Sequence, residues 1–435
     1  MINLVYKKHK QNTTFKKNPY KMDKKSGGLL KATFLLLLFS LFQYTILPAD
    51  AEIIKGRLLD ERNFPVPNVS LSISYGGGTT TDDNGKFKLS TDKFPYNLTI
   101  FDVANAIGVT YLGLNVLNPE LTFFGVKISR YVNTEVVKVN ITPVPPGRSV
   151  LIKFVSDDIF FSNDVILSPG ETQKLITVDW PSASNSINGK IIYLEKTNES
   201  YKKYGEKPIT ITKDFYPLTI SFDSLYHYTD PGDSFITLYL PILDYNKKGF
   251  SVYADFLALH RNAEILLNTT EGDIYSTNVP VPQSLPLGFR LKVSGNGFYK
   301  DGAGFVNYVY SYPGTSMNIN SETPPKLSAP QNKFYGVSEN TQFSYDWGSG
   351  TGIYVVHFHS FDPVGDFYVV TNDRQINSPI GYAGSILSGE EFKWYVSMYQ
   401  TYFSVDDFVK PKAFRNDVGY KAVTYSETRT FRTTF

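Results

Sequence analysis

The chain has 435 residues, 42% hydrophobic and 15% aromatic, which is not a disordered composition and is long enough for about three or four domains. It contains no cysteine, so disulfides and a lipid-anchoring cysteine are excluded and stability must come from burial in domains of adequate size. The formal net charge is +2, but residues 1–51 hold nine of the 43 basic and two of the 41 acidic side chains, leaving 34 against 39 and a net charge of about −5. With no basic patch or nucleic-acid motif, this balance argues against a nucleic-acid partner.

Lys24, Lys25 and Lys31 precede an apolar run from Phe34 to Leu47, interrupted at Ser40, Gln43 and Thr45 and ended by Pro48. Ala49-Asp50-Ala51 then has the small-x-small pattern of a signal-peptidase site. A signal peptide over 1–51 is expected, cleaved to leave Glu52, with Met22 as a start that would give a leader of ordinary length. The apolar run is shorter than the roughly 20 residues of a membrane span, which weighs against an uncleaved signal anchor, and without a C-terminal apolar tail no span is expected after cleavage.

Thirty-one tyrosines and 32 phenylalanines against four methionines favour strands, and no long amphipathic helix follows residue 52. Ile54, Gly56 and Leu58 share one side of a first strand. Val69, Leu71, Ile73 and Tyr75 alternate with serines, the period-2 pattern of a half-buried strand. Gly76-Gly77-Gly78 ends that run, Asp82-Asp83-Asn84-Gly85 supplies a hairpin turn with Gly85 at positive φ, and Phe87 and Leu89 point inward. The segments Ile54-x-Gly56-x-Leu58-x-Asp60, Pro67-Asn68-Val69-Ser70-Leu71 and Thr81 to Phe87 resemble the carboxypeptidase regulatory-like domain, a transthyretin-like β-sandwich, over 52–141. The resemblance implies a non-catalytic module of the kind repeated in bacterial surface and export proteins.

Pro143-Val144-Pro145-Pro146-Gly147 has the composition of a linker. Short alternating runs follow at Val150 to Phe154, Leu175 to Val178, Ile187 to Leu194, Ile209 to Ile211 and Leu218 to Phe222, predicting a second sandwich over 142–229. After a break at Thr229 to Asp233, further runs predict a third over 230–321, or the second half of one larger domain. Gly295-Asn296-Gly297 is expected to be a turn.

Ser321 to Pro325 is another linker. Phe343-x-Tyr345-x-Trp347, Tyr354-x-Val356-x-Phe358, Ile386 to Gly389 and Phe392-x-Trp394-x-Val396 resemble the bacterial fibronectin type III-like pattern over 322–435. The resemblance implies an independently folding sandwich with Trp347 and Trp394 in its core. Phe392 stands where that family has tyrosine, so no corner hydrogen bond can form there, and Ser404 to Tyr420 exceeds the usual hairpin. The expected fold class is therefore all-β, a tandem array of β-sandwich domains after a cleaved signal peptide.

Candidate chemistry is sparse. His357 and His359 share one face of a predicted strand, opposite Tyr354, Val356 and Phe358; two imidazoles at that spacing could ligate one metal, but no third ligand is fixed. His227 and His260 have no ligand-spaced partner. Asp82 to Gly85 is too short for a calcium loop. Glu390-Glu391 and Asp406-Asp407 put adjacent carboxylates on opposite strand faces or on solvated turns. No nucleophile elbow or zinc-peptidase motif occurs, so no catalytic, cofactor-binding or metal-binding residue is nominated and no cofactor is expected. The leading reading is an exported, non-enzymatic surface, adhesion or scaffold protein, periplasmic, cell-surface or extracellular, whose partner is a protein or glycan. Two rivals stand beside it: a glycan-binding or glycan-processing accessory using aromatic platforms such as Tyr395, Tyr399 and Tyr402, and an enzyme with a site in the unassigned middle third.

Overall fold

The computed structural model describes residues 51–61, 64–126, 132–159, 161–213, 218–240, 244–257, 263–272, 275–348, 350–378, 389–411 and 422–434. All of the expected leader but Ala51 lies outside them, as do His260 and Ile386. The described chain is all-β, a tandem series of four sandwiches, with a single helix of four residues among the described elements.

The first sandwich contains β1 (Glu52–Asp60), β2 (Ser70–Ile73), β3 (Gly78–Thr80), β4 (Lys86–Thr91), β5 (Tyr96–Asp102), β6 (Ile107–Leu114) and β7 (Glu120–Phe123). Strands β4-β1-β7 form one layer, with β1 and β7 parallel, and β3-β2-β5-β6 the other. Val69, Leu71 and Ile73 are buried while Ser70 and Ser72 face solvent, as the alternation predicts. Tyr75 departs from it: the strand ends at Ile73, Tyr75 turns at φ +63 and its ring is 70% exposed under Lys93. In the β3–β4 turn, Asp82 Oδ1 accepts the amides of Asn84 and Lys86, and Gly85 sits at φ +70 with its Cα against the Leu58 carbonyl. The core is closed by tyrosines whose hydroxyls reach backbone, Tyr96 donating to Val116 O at 2.6 Å and Tyr111 to Thr122 O at 2.7 Å.

The second sandwich contains β8 (Val132–Ile141), β9 (Ser149–Val155), β10 (Phe161–Ser162), β11 (Val165–Leu167), β12 (Gln173–Pro181), β13 (Ser186–Lys196), β14 (Tyr201–Thr212) and β15 (Leu218–Phe222). Its layers are β10-β12-β8-β15 and β11-β9-β13-β14. Because β8 pairs along its length with β12 and β15, it belongs here and not to the first sandwich, so the boundary expected after Ile141 lies before Val132. The proline-rich stretch after it is therefore a loop between the two layers, not a linker: Val144 is buried in the same core as Trp180.

The third sandwich contains β16 (Asp233–Tyr239), β17 (Lys247–Phe256), β18 (Glu264–Glu271), β19 (Ser276–Pro282), β20 (Phe289–Phe298), β21 (Gly304–Ser311) and β22 (Ser316–Asn318). Layer β19-β16-β22 faces β18-β17-β20-β21, so residues 142–321 make two sandwiches rather than one. They are not independent: Leu151, Val155, Ile192, Leu194, Tyr201 and Tyr204, from β9, β13 and β14, pack into the third core. That explains why β9 and β13 are apolar on both faces. Gly295 and Gly297 lie inside β20 and not in a turn, and glycine is needed there because a Cβ would collide with Ile319 at the first and Tyr245 at the second.

The last sandwich contains β23 (Lys326–Ala329), β24 (Phe334–Val337), β25 (Gln342–Asp346), β26 (Gly352–Phe361), β27 (Val364–Thr371), β28 (Gln375–Asn377), β29 (Glu391–Gln400), α1 (Val405–Phe408), β30 (Ala422–Tyr425) and β31 (Arg429–Thr433). Layer β23-β25-β28 faces β31-β29-β26-β27, with β24 parallel on the far side of β31. Trp394 is fully buried, with Phe343 edge-on at 4.9 Å and Phe358 stacked at 6.3 Å. Trp347 is not in this core: β25 stops at Asp346 and the indole is 54% exposed.

Two pairings join the sandwiches. β27 runs parallel to β6, Asp366↔Ile107 through Val370↔Tyr111, and β30 pairs antiparallel with β21. The result is one 14-stranded sheet crossing the first, last and third sandwiches. At the β6–β27 seam the core changes sides. Ile353, Val355 and Val370 extend the first core, while Phe101 and Leu112 pack against the last one. The long β29–β30 connection has a role in the same joint: Tyr402, Val405, Phe408 and Val409 enter the first core, and Asp406 accepts the Asn115 amide at 2.8 Å. The expected independently folding C-terminal domain is thus hydrogen-bonded to neighbours on both sides.

Trp394→Ala should cost about 3–5 kcal/mol, the range for emptying a large aromatic site, read as a lowered urea midpoint for the last sandwich. Trp394→Phe, which removes an indole N–H buried without a partner among the described residues, should cost less. Gly85→Val should destabilise the first sandwich by about 1–3 kcal/mol, because a β-branched residue is strained at positive φ and its Cβ meets the Leu58 carbonyl; an unchanged midpoint would contradict this.

Candidate functional site

The β26–β27 hairpin turns at Asp362-Pro363, a register that sets His359 opposite Asp366 and His357 opposite Tyr368. Both histidines do face away from the aromatic core, as the alternation predicts, but they are not on open surface. One oxygen, Asp366 Oδ1, is 2.8 Å from His357 Nε2 and 2.9 Å from His359 Nδ1. The His357 ring lies flat on Tyr368 at 4.3 Å and meets the edge of Tyr395 at 4.9 Å.

Asp366 is held at about 2: burial pushes it up, but hydrogen bonds from both imidazoles pull it down further. Burial lowers His357 despite the adjacent carboxylate. The geometry agrees, since Nδ1 of His357 is buried without a partner; a bare lone pair there is tolerable, whereas the N–H of an imidazolium would be unsatisfied. The arrangement is a hydrogen-bonded trio, and among the described residues no group of three or more metal-ligating side chains is placed to hold a metal ion.

The other sequence candidates scatter. His227 is exposed on a loop. Asp82 spends its carboxylate on the β3–β4 turn. Asp406 and Asp407 lie on α1 rather than on a strand or open turn; Asp406 holds Asn115 and Asp407 Oδ1 pairs with Lys410. Tyr402 is buried and Tyr399 packs against the first core, so the tyrosines flanking Trp394 form no exposed platform.

In the middle third, buried carboxylates pair with cations. Asp255 is 2.8 Å from Arg290, Glu264 is 2.9 Å from Lys292, and Glu195, 1% exposed, is held by Arg148 and by Lys203 at 3.4 Å. Glu195 stays lowered because, against burial, the Arg148 hydrogen bond and the Lys203 charge favour the ionised form. A cavity beside Tyr245, Lys248 and Phe305 has about 20 Å³, room for roughly one water.

Trp347 is one of several aromatics that reach solvent in the last sandwich, with Phe334, Tyr335, Phe361 and Phe403. It projects past the end of β25 with the Arg374 guanidinium 4.0 Å above its ring. No signal in the alternating string separated it from Phe343 and Tyr345; only the end of the strand does.

No family model matches the chain, and no curated protein matches it. Among solved structures, the Bacillus anthracis TIE protein aligns over 62% of this chain and 50% of its own, at 10% identity and a TM-score of 0.15; this chain thus spans about half its length. A Ca2+-stabilised adhesin with which an Antarctic bacterium binds ice aligns over 88% of this chain and 99% of its own, at 9% identity and a TM-score of 0.17. BcpA, the major pilin subunit of Bacillus cereus, aligns over 62% and 99%, at 9% identity and a TM-score of 0.14. The architecture described above rests on this chain's own strand pairings.

Trp347→Ala should change stability by no more than about 1 kcal/mol, the scale of an exposed cation–π pair. A loss of several kcal/mol in the urea midpoint would instead place the indole in the core.

Proposed function

We propose that this is an exported, non-enzymatic structural protein that works in adhesion or as a scaffold at a bacterial surface, its first and last sandwiches being carboxypeptidase regulatory-like and fibronectin type III-like modules. The observation that carries this reading is the 14-stranded sheet through three sandwiches. Cross-strand hydrogen bonds resist relative displacement of the modules better than a flexible linker would, which suits a part that must hold position and transmit force. The apolar run ending in Ala49-Asp50-Ala51 supports export, and the absence of cysteine makes the fold independent of the redox state outside the cell.

Expression in a bacterial host with its own leader should give a mature chain beginning at Glu52 that surface-added protease or antibody can reach. Its deletion should lower attachment or surface assembly in the native cell. Retention of the leader, or a protein confined to the cytoplasm, would contradict the proposal.

The half-exposed Trp347 under Arg374 favours one second reading, a glycan-contacting surface, because such rings stack on sugars. Retention on immobilised polysaccharide that Trp347→Ala abolishes without altering stability would support it; retention unchanged by the substitution would count against it.

A further inference from the structure

We propose that His357, His359 and Asp366 form a pH-sensitive latch on the seam between the first and last sandwiches, closed while His357 is neutral and weakened when it becomes protonated. Asp366 belongs to both sides of the device. Its backbone amide donates to Ala106 O at 3.0 Å, the first hydrogen bond of the β27–β6 pairing, while its carboxylate takes both imidazoles. Tyr368, which covers the His357 ring, is itself pinned from the first sandwich by Phe124, stacked at 5.6 Å, and by close approach of Gly125. The titrating group, its carboxylate and its aromatic cover therefore share the strand that makes the seam.

The charged and titratable groups facing His357 set the sign. His359 comes from β26 itself, Asp366 and Tyr368 from β27, and Lys393 and Tyr395 from β29; Glu61, after β1, acts on Tyr368 and Tyr395. Asp366 already accepts both ring donors. A proton on His357 Nδ1 would be buried without an acceptor and would add positive charge near Lys393 and His359. The folded seam thus binds that proton less readily than an opened, hydrated hairpin, in which the imidazole would titrate near its ordinary value of about 6.5. For a histidine whose value is lowered on folding, the stabilisation is complete above the unfolded value and is lost as pH falls below it. The latch therefore weakens on mild acidification, well before Asp366 protonates.

The test is amide hydrogen exchange on the whole chain at about pH 7.5 and about pH 5, corrected for intrinsic exchange chemistry, comparing β6 and β27 with the β13–β14 hairpin as an internal reference. Protection of β6 and β27 should fall at the lower pH, by at most about thirtyfold, the limit set by about 1.5 pH units below the unfolded value, while the reference keeps its protection. His357→Phe, which keeps a ring on Tyr368 but cannot titrate, should remove that difference. His357→Gln, which keeps a donor towards Asp366, should do the same if the phenylalanine variant fails to fold. Seam protection that ignores pH in the wild-type chain, an equal fall in the reference hairpin, or an undiminished pH response in the foldable variant would each overturn the proposal.

Discussion

The structure depends on what happens at the edges of the last sandwich. A β-sandwich ordinarily ends in strands whose outward N–H and C=O groups must be hydrated, blunted or covered. Here β27 gives that edge to β6, and β30 extends β29 into β21. β29 can serve two neighbours because it is divided: Glu391 to Trp394 pair with β31, and Ser397 to Tyr399 pair with β30. Backbone pairing, rather than a linker, is what ties the chain's first module to its last.

Packing reinforces the pairing. A sheet edge joined only by hydrogen bonds gains little net stability, because each bond replaces one to water. At the β6–β27 seam, however, Ile353, Val355, Val370, Tyr402, Val405 and Phe408 lie in the first core, so separating the strands would also expose apolar surface. The same logic joins the second and third sandwiches through the doubly buried β9 and β13. Polar side chains also bridge that contact, Lys196 Nζ donating to Leu267 O at 2.6 Å.

The fold class was legible because its signals are local. Val69, Leu71 and Ile73 alternate with serines, Asp82 to Gly85 makes a turn with its own side chains, and Phe392, Trp394 and Val396 fall on one face. What was not legible is non-local. Nothing in 132–141 says whether that strand pairs backward or forward; its partners β12 and β15 decide. Nothing in Phe343-x-Tyr345-x-Trp347 marks the end of the strand before the tryptophan, and Gly295-Asn296-Gly297 looks like a turn until Ile319 and Tyr245 are seen against it. His357 and His359 were placed on the correct face, but Asp366 could be joined to them only through the hairpin register fixed at Asp362-Pro363.

These features suit a protein whose work is to hold modules in fixed relation, and the absence of cysteine allows that relation to be tested directly. Thr110 and Val369 are paired across the β6–β27 seam. Neighbouring strands lie about 4.8 Å apart, inside the separation a disulfide can span. With both residues changed to cysteine in the otherwise cysteine-free chain, mild oxidation should give one intramolecular disulfide joining peptides from the first and last sandwiches, identified by mass spectrometry of the folded monomer. Two thiols left free in a folded monomer, or cross-links only between molecules, would contradict the shared sheet.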